Sequence, residues 1–326
     1  MDNNAKLRPL YLAKILYERT DEDHYLTTMQ LAQILEEEYG IPAHRQTIKT
    51  DIELLQQFGM DIQEVKSTQN RYNLISRQFE IAELKLLIDA VQSSKFISKE
   101  RSEQMVSKIV TLAGQHKAEE LKRNASVEGR VKSENRQDLL IVDAINEAIN
   151  ARKKIAFQYF AYNIRKQKKL RHDGERYIFS PYRLIWNGDY YYVLGYSDKH
   201  QAIGSFRVDR ISARPDILSE EAVPVPADFG VDDFLATTFR MYGSECQEVE
   251  LICDNSVIDA IIDRFGTDVT IYACDMSTFR MIVRVAISHI FFSWIFGFGG
   301  KVRIKGPEET KRQYAAMIRD AVAELE

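Results

Sequence analysis

The sequence predicts an α+β protein built from several domains. Three observations carry this. The 326 residues exceed what one ordinary core organises. Apolar residues recur at helical spacing through the first third of the chain, and beyond residue 150 aromatic and β-branched residues alternate with period two. Shifts in composition divide the chain into residues 1–76, 77–137, 138–222 and 223–326. A composition of 45% hydrophobic and 28% charged residues is that of a folded chain, so disorder is not the default. The longest apolar run, Ile290 to Phe298, falls far short of the ~20 residues that span a bilayer, and no leader pattern opens the chain. The expectation is a cytoplasmic protein with no membrane partner. A net charge of −4 means that any nucleic-acid contact must come from local patches.

Leu10, Leu12, Ile15 and Leu16 predict a first amphipathic helix that ends before the polar run Asp21 to His24. A second follows, capped by Thr27 or Thr28, with Met29, Leu31, Ala32, Ile34 and Leu35 inward and Gly40 closing it. A third has Ile48, Ile52, Leu54, Leu55 and Phe58 as its buried side and Gly59 at its C-cap. Strands at Asp61–Val65 and Arg71–Ile75, around a turn from Ser67 to Asn70, complete a helix-turn-helix with a wing. The string RQTIKTDIELLQQFG resembles the DeoR-type winged helix, S-x-R-T-[IV]-x-R-D-[IL]-x-x-L-x-x-x-G. Thr47, Asp51, Leu55 and Gly59 fit it, while His44, Gln46 and Thr50 replace a Ser and two Arg. Recognition helices read base edges from their N-terminal turns, so His44, Arg45, Gln46, Thr47, Lys49 and Thr50 are the candidate DNA contacts. Glu36, Glu37 and Glu38 favour the other reading, an interaction module without DNA.

Two helical patterns span Phe79 to Ala113, the second capped by Ser98, and they suit a bridge and a dimer contact. Gln115 to Gln137 is polar and reads as a loose connection. A helix through Leu139, Leu140, Val142, Ile145 and Ile149 then leads into a strand on which Ile155, Phe157 and Tyr159 alternate. Arg165, Lys166, Lys168, Lys169 and Arg171 form the most basic run. It is either a solvated hairpin tip or an electrostatic lip for a phosphate backbone. Asn187-Gly188 between aromatic runs predicts a tight type I′ hairpin. Alternation puts Tyr190, Tyr192, Leu194 and Tyr196 on one face and Tyr191, Val193 and Gly195 on the other.

Tyr191-Tyr192-Val193, followed after a short loop by Phe206-Arg207-Val208-Asp209-Arg210-Ile211, resembles the WYL domain of bacterial transcriptional regulators, and Ser180-Pro181-Tyr182-Arg183-Leu184 resembles its Pro-containing strand. The resemblance implies a small Sm-like β-barrel whose effector is a nucleotide-containing ligand or single-stranded nucleic acid. Stacking on Tyr159, Tyr182 and Tyr192, with Arg183, Arg207 and Arg210 on phosphates, is the physical form of that idea. Strand alternation places Arg207 and Arg210 on opposite faces unless the strand bends or ends between them. Asp209 reads as the partner that orients an arginine.

Beyond Pro224 and Pro226 the pattern reads βαββαβ with a trailing helix from Pro307, a ferredoxin-like order, and SWIFGFGGKVRI resembles the C-terminal extension that follows WYL barrels. Trp294 and its neighbouring Phe residues read as core or subunit interface. Cys246, Cys253 and Cys274 read as buried, reduced thiols. The six histidines are scattered without a metal-binding pair, and no Walker loop, G-x-G-x-x-G or nucleophile elbow occurs, so neither metal nor cofactor is expected and the chain does not read as an enzyme. The function expected is a homodimeric transcriptional regulator that binds double-stranded operator DNA and changes that binding when its WYL domain takes up an effector. The rival is a nucleotide- or nucleic-acid-processing enzyme carrying a winged-helix interaction module.

Overall fold

The computed structural model describes residues 3–66, 68–123, 132, 137–227, 229–230, 234 and 246–323. The chain divides into two compact units, Met1–Arg136 and Gln137–Glu326. Both mix helix and sheet, as an α+β chain requires.

Unit 1 begins with α1 (Asn3–Arg19), β1 (Leu26–Thr27), α2 (Thr28–Tyr39), α3 (Arg45–Gln57), β2 (Ile62–Val65) and β3 (Arg71–Leu74). Thr27 caps α2 through a capping box with Gln30, which satisfies two of the amides a helix start leaves open. The strands form one antiparallel sheet in the order β1-β3-β2, and β1 was not expected. Two residues carry too little pattern to announce a strand. Leu12, Ile15 and Leu16 of α1 meet Leu31, Leu35, Ile48, Ile52, Leu55, Tyr72 and Leu74 in one core. Leu10, Met29, Leu54 and Phe58 are exposed instead, Phe58 at 85%. Hydrophobicity alone misplaced them: Leu54 and Phe58 are rotated off the Ile48, Ile52, Leu55 stripe that meets the core. Arg8 and Asp51 tie α1 to α3 through two bonds of 2.5 and 3.3 Å, so Asp51 serves the scaffold.

The rest of unit 1 is α4 (Ile81–Ser93), α5 (Lys99–Thr111) and α6 (Gln115–Arg123), packed through Leu84, Ile88, Val110, Ala113 and Leu121. The loose connection expected from Gln115 therefore starts as a helix, because Leu121 and Ala118 supply an apolar side to an otherwise polar segment. Lys132 donates to the carbonyls of Val91 and Ser94 and to the Ser102 hydroxyl. The remainder of that connection, and Ser67 of the expected wing turn, lie outside the described residues.

Unit 2 opens with α7 (Asp138–Ala151) and a five-stranded antiparallel sheet in the order β10-β4-β7-β8-β9. Its strands are β4 (Lys153–Phe157), β7 (Tyr177–Asn187), β8 (Tyr190–Ser197), β9 (Ala202–Arg207) and β10 (Asp216–Glu221), with a separate hairpin, β5 (Phe160–Tyr162) and β6 (Lys168–Leu170), inserted after β4. Ile141, Ala144, Ile145 and Ala148 form the buried face of α7. Phe157, Phe179, Phe206, Tyr159 and Tyr177 meet mostly edge-to-face, with centroids 5.1–6.2 Å apart. Gly195 sits where a Cβ would lie 2.1 Å from the Ser180 carbonyl and 2.6 Å from the Phe179 ring, so no larger residue lets β7 and β8 close there. The β7–β8 turn is shifted from the expected one: Asn187 pairs with Tyr190 as the last ladder pair, and the loop is Gly188-Asp189. Only Gly188 has positive φ (59°), the requirement of a type II′ rather than a type I′ turn.

The last part is β11 (Cys246–Asp254), α8 (Ile258–Phe265), β12 (Ile271–Ala273), β13 (Thr278–Ala286), α9 (His289–Phe296), β14 (Val302–Gly306) and α10 (Glu308–Ala323). The βαββαβ order gives an antiparallel sheet β12-β13-β11-β14. Its core includes Val249, Leu251, Phe279, Met281, Phe291 and Ile295, with Trp294 packed against it. Pro307 precedes the last helix, its carbonyl accepting from Lys311. Of the cysteines only Cys253 is buried, with burial pushing its thiol up to about 11; Cys246 and Cys274 are exposed, since each stands near a strand end.

Candidate nucleic-acid interface

In unit 1 the candidate residues sit at the start of α3. His44 is the N-cap residue and makes no side-chain cap bond, while Arg45 and Gln46 of the first turn are exposed. Thr47 is half-buried, Thr50 donates its hydroxyl to the Gln46 carbonyl at 3.2 Å, and Lys49 stands 3.9 Å from Glu53. This turn therefore presents a polar edge with Arg45 as its unpaired cation among the described residues. Free amides at a helix start favour anions nearby.

In unit 2 the candidates separate into three places. Along β7–β9 the register sets Tyr192 opposite both Ile185 and Arg207, and Arg183 opposite Leu194. Tyr192 packs on Ile185 and Leu194, which Ile203, Phe229 and Phe234 also cover. Arg207 lies over the Tyr190 ring at 3.3 Å and donates to both oxygens of Asp209 at 3.0 and 2.7 Å. Burial opposes the Arg207 charge, but the Asp209 carboxylate outweighs it and holds the pKa above the ordinary arginine value. The side chain is thus neutralised within the protein.

Tyr159 belongs to the second place. Its hydroxyl accepts from the Arg207 backbone N–H at 3.2 Å, and burial pushes its pKa up to about 12. The ring packs against Tyr177 and Phe206, so it is a wall of the aromatic core rather than an open stacking surface. Tyr182 falls at the bulge between Pro181 and Arg183 and donates to the Pro224 carbonyl at 3.2 Å.

The third place is the β5–β6 hairpin. β9 ends at Arg207, and Val208–Arg210 forms a short 3-10 turn. Arg210 consequently leaves the Tyr192 side and stands 5.3 Å from the Tyr162 ring and 6.0 Å from Phe160. Lys168 lies 4.9 Å over Phe160 and Arg171 5.9 Å over Tyr159. Tyr190 and Tyr162 were missing from the sequence-based set. Tyr190 was legible, being two residues from Tyr192 on the same face. Tyr162 was not, because only the turn after β9 brings Arg210 to it.

Among the described residues no group of three His, Cys, Asp or Glu side chains is arranged to hold a metal ion, and no helix is long and apolar enough to cross a membrane.

Comparison with known proteins gives one family match: residues 141–214 fit the WYL domain model. No curated protein matches the chain. Among solved structures, proteasome accessory factor B/C (PafBC) of Arthrobacter aurescens is similar at 17% identity and a TM-score of 0.30 over 94% of this chain; the chain spans only 44% of that protein's length. A crystal structure described as a CRISPR Cas-related protein is similar at 14% identity and a TM-score of 0.37, over 99% of this chain and 84% of that one. The matched span runs from within α7 through β4, the inserted hairpin, β7, β8 and β9 to just past the turn after β9, and stops before β10. Over residues 141–214 this chain is therefore similar to WYL domains.

Proposed function

We propose that the protein is a DNA-binding transcriptional regulator whose WYL domain takes up a nucleotide or single-stranded nucleic acid and thereby alters operator binding. The observation that carries this is the pairing, in one chain, of a WYL domain with a helix-and-sheet unit whose third helix opens on exposed, polar His44, Arg45 and Gln46. In this reading residues 1–76 are a DeoR-type winged helix, α3 enters the major groove, and β2–β3 is the wing. The WYL domain is an Sm-like barrel, the C-terminal βαββαβ unit is ferredoxin-like, and the protein acts in the cytoplasm as a homodimer on inverted half-sites. A chain with a net charge of −4 needs two such helices to hold a duplex tightly.

The effector acts only if it binds the two arrangements of the DNA-binding units unequally, since equal affinity shifts no population. Tyr192, Arg183 and Arg210 offer contacts for it, while Arg207, held by Asp209, covers the Tyr190 ring. Genome-wide mapping of the protein's DNA sites tests the reading. Recovery of an inverted-repeat motif that Arg45→Ala abolishes is the expected result, and uniform occupancy without a motif overturns it.

A further inference from the structure

We infer that the β5–β6 hairpin, together with Arg210, is the surface that holds the sugar-phosphate chain of a single-stranded nucleic acid, with a base stacked on Tyr162. This rests on the reading that the WYL domain takes a nucleic-acid ligand, and it places the phosphate contacts away from Arg207.

Charge is the first support. Residues 162–171, YNIRKQKKLR, hold five cations and no carboxylate in a chain whose net charge is −4. Among the described residues none of the five has an ion-pair partner, whereas Arg207 is taken by Asp209, Arg176 by Asp216, Lys154 by Asp198 and Glu220, and Lys199 by Glu175. Crowded like charges repel, and a polyanion relieves that repulsion while releasing its own counterions.

Order is the second. Asn163 Oδ1 accepts from the N–H groups of both Arg165 and Gln167 at 2.9 Å, and Lys166 adopts a left-handed φ of 60° to close the turn. Phe160 is buried and pins the base of the ribbon. The cations are thus presented on a turn held by its own hydrogen bonds, which lowers the ordering cost of binding.

Aromatic exposure is the third, and it selects a single strand. Tyr162 is 45% exposed, with Arg210 beside its ring and Lys168 directly opposite in the register. A ring open to solvent between cations suits an unstacked base flanked by phosphates, and bases in a duplex are not free to occupy it.

The test titrates a labelled mixed-sequence single-stranded oligonucleotide against the full chain by fluorescence anisotropy across a salt series. Parallel arms use a non-operator duplex of the same sequence and phosphatidylserine vesicles. Lys168→Gln with Lys169→Gln should weaken single-strand binding at least about tenfold near 0.1 M salt and lower the slope of log K against log salt by about 1.4. Tyr162→Ala should weaken it about tenfold with the slope unchanged, and Tyr162→Phe should restore it. If wild type binds the oligonucleotide and these variants bind equally well, the hairpin is not the surface, though the ligand class survives. If wild type binds no better than about millimolar, the ligand class fails and the inference with it. Equal losses on duplex or vesicles make the hairpin a general polyanion patch and overturn the single-strand assignment.

Discussion

The Tyr190–Asp209 corner and the β5–β6 hairpin belong to one domain and share a composition of arginines, lysines and tyrosines, yet their electrostatic states are opposite. At the corner the Arg207 guanidinium is closed by two bonds to Asp209 and covered by Tyr190. On the hairpin Lys168 and Arg171 rest against ring faces that carry no formal charge, and among the described residues no carboxylate pairs with either. The number of cations in a segment is therefore not the number available to a ligand. The first region maintains the fold of the sheet end, and the second projects charge outward. The start of α3 is an intermediate case, with Arg45 unpaired among the described residues and Lys49 near Glu53.

The contrast breaks most directly at Asp209. Asp209→Ala leaves a partly buried guanidinium without its counter-ion, and a loss of about 2–3 kcal/mol in unfolding free energy is expected. Lys169→Ala, on the exposed hairpin, should change stability by less than about 0.5 kcal/mol. Urea midpoints for the two variants measure this; equal midpoints would mean that Arg207 is not locked.

A smaller effect is expected at α3. Arg45→Ala should cost operator affinity about 1–1.5 kcal/mol and lower the salt slope by about 0.9, as loss of one phosphate contact does. Lys49→Ala should cost less, because Glu53 already draws on that charge at 3.9 Å. Anisotropy titrations on the mapped operator decide it, and the reverse ranking would show that the Glu53 contact does not persist in solution.

Tyr159→Phe removes the acceptor of the Arg207 amide and should destabilise the domain by about 1 kcal/mol without altering the salt slope of oligonucleotide binding. A changed slope would place Tyr159 among the ligand contacts instead. The smallest effect belongs to Asn163→Ala. Loss of its two turn bonds should increase hydrogen exchange in the hairpin and weaken oligonucleotide binding by about 0.5 kcal/mol. If exchange rises and binding holds, pre-organisation of the turn is irrelevant to the ligand.

The sequence by itself determined what period and punctuation encode. Thr27 or Thr28 ahead of the apolar run marks the start of α2, and Ile48, Ile52 and Leu55 mark its neighbour's inward stripe. Alternation assigned Tyr190 and Tyr192 to one face, and apolar periods separated by turns announced the βαββαβ order. These are local signals, written within a few residues. Tertiary structure alone decided the rest. Leu54 and Phe58 stay in solvent because the core lies along a different stripe of α3, and β1 exists because β3 offers it an edge. Arg207 and Arg210 are three residues apart, and their fates diverge because β9 ends between them. One guanidinium meets a carboxylate in its own turn, and the other meets a ring contributed from β5. Whether a charge is spent inside the fold depends on partners that only folding brings near, and no spacing along the chain records them.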